Sequence, residues 1–534
     1  MEKIAELNRD TSAALATIRE WMNSLIPINR VPSDVLSLIP THLPSQKDRF
    51  RVSFVCRHWR RTFLQNARLW YHLSLSKGEV YVKTLLERVK GSPLTILAGC
   101  MDPVETVTLL PPYTNQITEL EFANSLWADI QRFSEIISGP LPLLRILNVN
   151  VVQGISRDGP DTMTPPSQPL FNGAVDLKIF RLRSEGSAFL SHFVFPNLTS
   201  FELSVASGEF HCSQLLDFLE ALPMLQVVHM KIATRLSFEG IPDGRLVVLH
   251  NVETFCLVAS DSEGSHELAT DISCPSAKYT SLTHIGEKDP DYAIHVESFP
   301  FPSSLNTIIH QYTKNSIEEV TLAMETNFFD YTIACSLTFL SPDATTIKFR
   351  FEVTGGYGDR DDEEDWVGCF PVVYCGTLLD ASESILDASK SILDVPLLAD
   401  VKRLHLYNLF DPSRSTDAVA DRFGVLFRSL GPLEELTVGC CDMRLCFFPF
   451  LYYRETRKEP VAYPLIRMLT ISSPRGKFDE DVAAGLVKLA KAQHEQGVPF
   501  ERVTIRVINP PAKMEEWLRP WVDVVDCCVL EEAH

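Results

Sequence analysis

The apolar positions of this chain change period after Trp70: before it they recur every three or four residues, and after it they alternate in short bursts. Between Glu2 and Ile26 the apolar side chains Ile4, Leu7, Leu15, Ile18, Trp21, Met22 and Leu25 form one stripe of a helix. Pro27 ends it. This stripe predicts a helix packed on the domain that follows; a coiled-coil pairing is the alternative, on a stretch short for one. A second helix is expected to open at Pro32-Ser33, with Val35, Leu36, Ile39 and Leu43 on one face. Pro40 inside it removes one backbone hydrogen bond and should kink it, and Pro44 closes it. Ser45 with Asp48 resembles a capping box, Asp standing in place of Glu. From there Val52, Val55, Trp59 and Phe63 follow at offsets of 3, 7 and 11, one helical face, with Phe50 and Phe54 as a second. Two apolar faces on helices this short exceed what about fifty residues bury internally. One of them is therefore a candidate interface, rimmed by Arg51, Arg57, Arg60 and Arg61.

Beyond Trp70, Leu73-Ser74-Leu75 alternates like a strand, Val80 to Val89 is helical, and Leu94 to Leu97 is a strand again. One strand-type fragment then keeps returning. It reads I-T-E-L-E-F at Ile117, L-L-R-I-L-N-V at Leu143, L-K-I-F-R-L at Leu177 and L-T-S-F-E-L at Leu198. Further copies start at Leu225, Val252, Ile317, Val401, Leu433, Ile466 and Phe500. The last apolar residues of six successive copies, Phe122, Val149, Leu182, Leu203, Met230 and Leu257, are 27, 33, 21, 27 and 27 apart. An L-x-x-L-x-L unit near that period resembles the leucine-rich repeat, in a degenerate form that mostly lacks the Asn of a tight repeat turn. Such strands would stack into a curved parallel sheet. Amphipathic helices over Ala128 to Ser138, Cys212 to Leu222, Thr416 to Leu430 and Glu480 to Gln493 would line the convex side.

A chain of 534 residues is too long for one compact core unless it is a solenoid. The net charge of −20 is unevenly spread. Residues Ile28 to Lys77 hold nine Lys and Arg against two acids, so that segment is +7 and the remainder −27. An acidic surface of this size argues against nucleic acid or an anionic membrane as the main partner. The first ten residues are charged and no run of 18 apolar residues occurs, which predicts a cytosolic or nuclear chain without signal peptide or membrane span. The sequon at Asn197 would then go unused.

The 13 Cys include the adjacent pairs Cys440-Cys441 and Cys527-Cys528 but no C-x-x-C, so reduced buried thiols are expected rather than a metal site. The Pro-rich stretch from Ser156 to Pro169, the stretch from Gly286 to Ser304 and the acidic run of residues 355–365 interrupt the repeats as loops. That run fails as a calcium loop, because Glu364 stands where Gly is needed and no closing Glu follows. Gly355-Gly356-Tyr357-Gly358 lacks the Lys of a phosphate loop, and no hydrolase or metalloprotease signature is present. Trp127, Trp366, Trp517 and Trp521 are candidate recognition anchors, or core and end caps of the repeats.

Val31-Pro32, the Val35-Leu36-Ile39-Leu43 stripe, Arg51-x-Ser53-x-Val55-Cys56-Arg57-x-Trp59-Arg60 and Leu69-Trp70 together resemble an F-box, in the form common in large fungal F-box families. The resemblance implies a three-helix module that docks on the Skp-type adaptor of a cullin–RING ubiquitin ligase. It also implies that Val31, Pro32, Leu36, Ile39, Leu43, Val52, Val55, Cys56 and Trp59 form the adaptor face. Val31 departs from the usual Leu, and Pro40 stands where a bulky apolar residue is commoner. The expected organisation is an N-terminal helix (1–27), a small all-α F-box module (28–77) and a leucine-rich-repeat-like solenoid (78–534), an α+β to α/β chain. The expected function is substrate reception in an SCF-type ligase, without chemistry, cofactor or metal of its own, the target unidentified. The alternative is an interaction scaffold without a ligase role.

Overall fold

The computed structural model describes residues 2–99 apart from 44–45, 104–152 apart from 138, and 170–287 apart from 172, 185–189, 243 and 261. It further describes 319–327, 332–341, 346–354, 401–407, 433–439, 466–473 and, with short breaks, 478–529. The acidic run of 355–365, Trp366, the expected helix over 416–430 and the Pro-rich stretch of 156–169 lie outside the described residues, as do Ser45 and most of 286–304. The chain divides into two compact units, Met1–Glu185 with Phe189–Phe201, and Gly186–Ala188 with Glu202–His534.

The first unit opens with helix α1 (Glu2–Leu25). Its apolar stripe is not packed on the next domain. Leu7 is 66% and Trp21 64% exposed, and Ile4, Leu15, Ile18, Met22 and Leu25 are exposed with them. The end of α1 instead meets the following segment, through Glu20 and Arg57 at 3.6 Å and through Asn29 Nδ2 donating to the Asn23 backbone carbonyl at 2.7 Å.

The expected helix from Pro32 to Leu43 is split into α2 (Ser33–Leu36) and a 3-10 turn over Ile39–His42 that contains Pro40. The expected single helix from Asp48 to Phe63 is also two, α3 (Gln46–Val52) and α4 (Arg57–Gln65). Ser53 Oγ donates to the Phe50 carbonyl at 2.7 Å, a local bond that competes with helix continuation. Cys56 at the start of α4 is fully extended, with φ −157°. The two breaks turn Leu36, Trp59 and Phe63 into one buried core.

Five parallel strands follow in chain order: β1 (His72–Ser74), β2 (Leu94–Gly99), β3 (Ile117–Ser125), β4 (Ile146–Val151) and β5 (Ile179–Ser184). Each pairs with the next. Helices α5 (Glu79–Val89), α6 (Val104–Val107) and α7 (Trp127–Ile136) lie between them in sequence. Parallel neighbours require such crossovers. Asn124 adopts φ +51° at the register shift between β3 and β4, a conformation that Asn tolerates better than most side chains. Its Oδ1 accepts from Asn150 Nδ2 at 2.9 Å.

Strand β6 (Ser200–Val205) straddles the division between the units. In the second unit β7 (Glu209–His211) precedes α8 (Cys212–Glu220), β8 (Val227–Ile232), β9 (Arg235–Ser237) and β10 (Val247–Val248). Then come β11 (Thr254–Ala259), α9 (Ser262–Thr270), β12 (Ile272–Ser273) and β13 (Tyr279–Glu287). Strands β8, β11 and β13 are parallel neighbours, and β7 with β9 and β10 with β12 form short parallel pairs.

The purely parallel sheet expected from the repeats is then interrupted. Strands β14 (Glu319–Asn327), β15 (Thr332–Leu340) and β16 (Thr346–Thr354) form an antiparallel meander, with β16 beside β13 and β14 beside the next strand, β17 (Arg403–Tyr407). Residues 328–331 and 341–345 link the three strands. Links this short can join only antiparallel neighbours. Beyond β17 the pairing is parallel again through β18 (Glu435–Gly439), β19 (Met468–Ser473), β20 (Phe500–Val507) and β21 (Val522–Val529). The helix Glu480–Glu495 joins β19 to β20. The chain is thus a helical segment followed by a mixed α/β region built on parallel sheets.

Three positions of the recurring fragment make the core. Leu177, Phe180 and Leu182 are buried, as are Leu225, Val228 and Met230, Leu433, Leu436 and Val438, and Ile466, Leu469 and Ile471.

Candidate interaction surface

Residues 27–71 form a helical module whose interior is filled chiefly from two elements. Leu36 of α2 and Phe63 of α4 are fully buried and Trp59 nearly so, with the Trp59 and Phe63 rings edge to face at 5.4 Å. Asn29 organises one side. Its Oδ1 accepts from Trp59 Nε1, and Cys56 Sγ approaches it at 3.9 Å. At the other side Phe50 packs against Trp70 at 5.4 Å, and Arg49 donates to the Leu43 carbonyl and to the Tyr71 hydroxyl. Asn66 Nδ2 donates to the Ser37 carbonyl at 3.0 Å, holding the end of α4 to the turn after α2.

Of the nine residues expected to meet a partner, Leu36 and Trp59 are interior. Pro32 is exposed, Val55 is 58% exposed, and Val31, Ile39, Leu43, Val52 and Cys56 are half-buried. The break between α3 and α4 removes Val52, Val55 and Trp59 from a common helical face. It also projects Phe54, which is 70% exposed with the Arg60 guanidinium 5.6 Å from its ring. Val35 and Leu38 are exposed too. Phe54 was legible as part of a second apolar face; Leu38 was not, because an unbroken helix would place it off the stripe.

The exposed apolar residues stand among Arg51, Arg57, Arg60 and Arg61, all exposed. A hydrophobic patch with a cationic rim is suited to binding a protein surface that offers apolar pockets and carboxylates. Among the described residues no group of three or more His, Cys, Asp or Glu is placed to hold a metal ion. A cavity of about 40 Å³ bounded by β2, β3 and α7, lined by Gly99, Val107, Phe122, Asp129 and Phe133 among others, admits water and not a metabolite. Of the tryptophans noted in the sequence, Trp127 is buried, whereas Trp517 and Trp521 are half-buried.

Residues 28–76, which hold this core and this surface, match the F-box-like family model. The chain therefore carries an F-box-like domain, which suggests a ubiquitin-ligase adaptor role through Skp binding; F-box proteins are typically non-catalytic substrate adaptors. No curated protein matches the chain. No helix among the described residues is long and apolar enough to cross a membrane.

Proposed function

We propose that the chain is the substrate-receptor subunit of an SCF-type cullin–RING ubiquitin ligase, its F-box of the fungal type, acting in the cytosol or nucleus. The F-box-like segment holds the Skp-type adaptor, and the later strands present a target protein. The observation that carries this reading is the family match over a module that keeps Pro32, Val35, Leu38, Phe54 and Val55 exposed. Leu36 and Trp59 act from inside by shaping that surface; Val31, Ile39, Leu43, Val52 and Cys56 contribute its half-buried margin. Target binding through a leucine-rich-repeat-like solenoid is supported by the recurring triplet of buried positions in successive parallel strands. The chain contributes proximity, and the chemistry belongs to a separate ubiquitin-conjugating enzyme.

Co-purification with a recombinant Skp-type adaptor and cullin tests this. Phe54→Asp with Val55→Asp should abolish adaptor capture with an unchanged melting temperature, since both side chains are exposed. Retained capture would overturn the assignment. Trp59→Ala is the weaker probe, because it removes a core side chain. Capture of adaptor without cullin would favour a scaffold over a ligase subunit.

A further inference from the structure

We propose that α1 pairs with α1 of a second copy of this chain as an antiparallel two-stranded coiled coil. Three observations carry this. Ile4, Leu7, Thr11, Ala14, Ile18, Trp21 and Leu25 are spaced alternately three and four residues apart along the whole helix, the a/d seam of a heptad repeat. The large members of that seam are exposed, Leu7 at 66% and Trp21 at 64%. The chain's own module does not cover them, because the contacts that tie α1 down use Glu20 and backbone carbonyls of its last turn. These are Glu20 to Arg57 at 3.6 Å, the Asn23 carbonyl to Asn29 Nδ2 at 2.7 Å, and the Ser24 carbonyl to Arg30 Nε at 3.3 Å.

The choice of a second copy follows from self-complementarity. In the antiparallel register Ile4 faces Trp21 of the partner subunit, Leu7 faces Ile18 of the partner subunit, and Thr11 faces Ala14 of the partner subunit. Each outer layer joins two large side chains, and the small central pair lets the backbones approach. A parallel pair would stack Trp21 on its own copy. The flanking positions Lys3, Asn8, Asp10, Leu15, Thr17, Met22 and Ser24 carry one cation and one anion. In the antiparallel pair Lys3 lies beside Ser24 of the partner subunit and Asp10 beside Thr17 of the partner subunit, so no like charges oppose. Leu15 and Met22 extend the apolar contact along one edge. A 24-residue helix is about 36 Å long, so the pairing is of modest area and its population depends on concentration.

Sedimentation velocity of the full chain across the micromolar range is the test. The wild-type chain should approach twice its 60.1 kDa mass as concentration rises. Leu7→Glu alone and Ile18→Lys alone should each stay monomeric, with melting temperatures unchanged because neither side chain packs on the module. Mixing the two variants should restore a dimer, since the antiparallel register sets Glu against Lys in one layer and leaves the other native. A wild-type chain that stays monomeric, or variants that still dimerise, would overturn the pairing. A mixture that stays monomeric would overturn the antiparallel arrangement.

Discussion

Asn29 is where the module is most sensitive to a single atom. Its amide accepts from Trp59 and donates to the end of α1, so one side chain ties the helix break, the core and the N-terminal helix together. Trp59→Phe keeps most of the ring and deletes the donor, leaving Asn29 Oδ1 without that partner. A loss of about 1–3 kcal/mol in urea unfolding is expected. A different constraint operates at Gly439 on β18, where a Cβ would collide with the ring of Tyr407 on β17. Gly439→Ala should destabilise the chain by about 1 kcal/mol, because the ring must swing aside. In a Tyr407→Ala background the same change should become neutral or mildly stabilising, since Ala is favoured over Gly in an unobstructed strand. A double-mutant cycle measured by chemical unfolding reads both.

Strands, by contrast, are decided by sets of three. Phe180 of β5 is fully buried and touches Phe193, Phe195 and Phe201 at ring distances of 4.8, 5.3 and 5.9 Å. Phe180→Ala should cost about 3–5 kcal/mol, read as a lower denaturation midpoint. The residue after the first apolar position of each fragment does a second job. Its carbonyl accepts from the next fragment's backbone, as Lys402 does from Glu434 and Glu435, and Glu434 from Met468. In the last four copies the side chains at this position, Lys402, Glu434, Arg467 and Glu501, alternate in charge. Lys402 meets Glu434 and Arg467 meets Glu501, each at 3.6 Å and about half exposed. Such pairs contribute under about 1 kcal/mol. Glu434→Lys should therefore lower the melting temperature slightly at low salt, and added salt should erase the difference.

Across the whole molecule, charge and protonation are uneven. The F-box-like segment is basic inside an acidic chain, so adaptor capture should accelerate as salt is lowered if the adaptor face is acidic. Two histidines of the first unit are held below the ordinary 6.5. His72 is lowered by burial and the nearby Arg49, partly opposed by Glu119, and His192 by burial. Well above 6.5 both are neutral in either state, and their effect on stability is constant. Below it the unfolded chain binds protons that the folded chain binds less readily, so stability falls as pH drops from 6.5 through the folded-state values. Replacing His72 and His192 with Gln should flatten that part of the stability profile without changing its upper plateau. Thermal melts between pH 5 and 8, compared with the parent chain, check this.

Periodicity alone located the strands that follow Leu177, Leu198, Leu225, Val252, Val401, Leu433 and Ile466, each buried two places ahead of its strand, but it missed β13. A strand of that kind buries alternate residues whatever lies beside it, so Leu225 or Ile466 announces it locally. The F-box-like segment was legible for a related reason: V-C-R-x-W-R followed by L-W is a fixed spacing of unlike residues. Partnership was not legible. Strands β15 and β16 alternate without the leading Leu, and their antiparallel direction follows from the short links that join them. Likewise the spacing of Val52, Val55 and Trp59 reads as one helix, and only the packed core, through the Ser53 bond and the extended Cys56, breaks it. That break buries Trp59 and exposes Phe54, whereas the spacing alone left open which of their two faces points outward. The stripe on α1 was plain from the sequence, but whether anything in the chain covers it is a long-range matter. Tertiary structure leaves it open, because the helix is held only by Glu20 and by the Asn23 and Ser24 carbonyls of its last turn, among the bonds described.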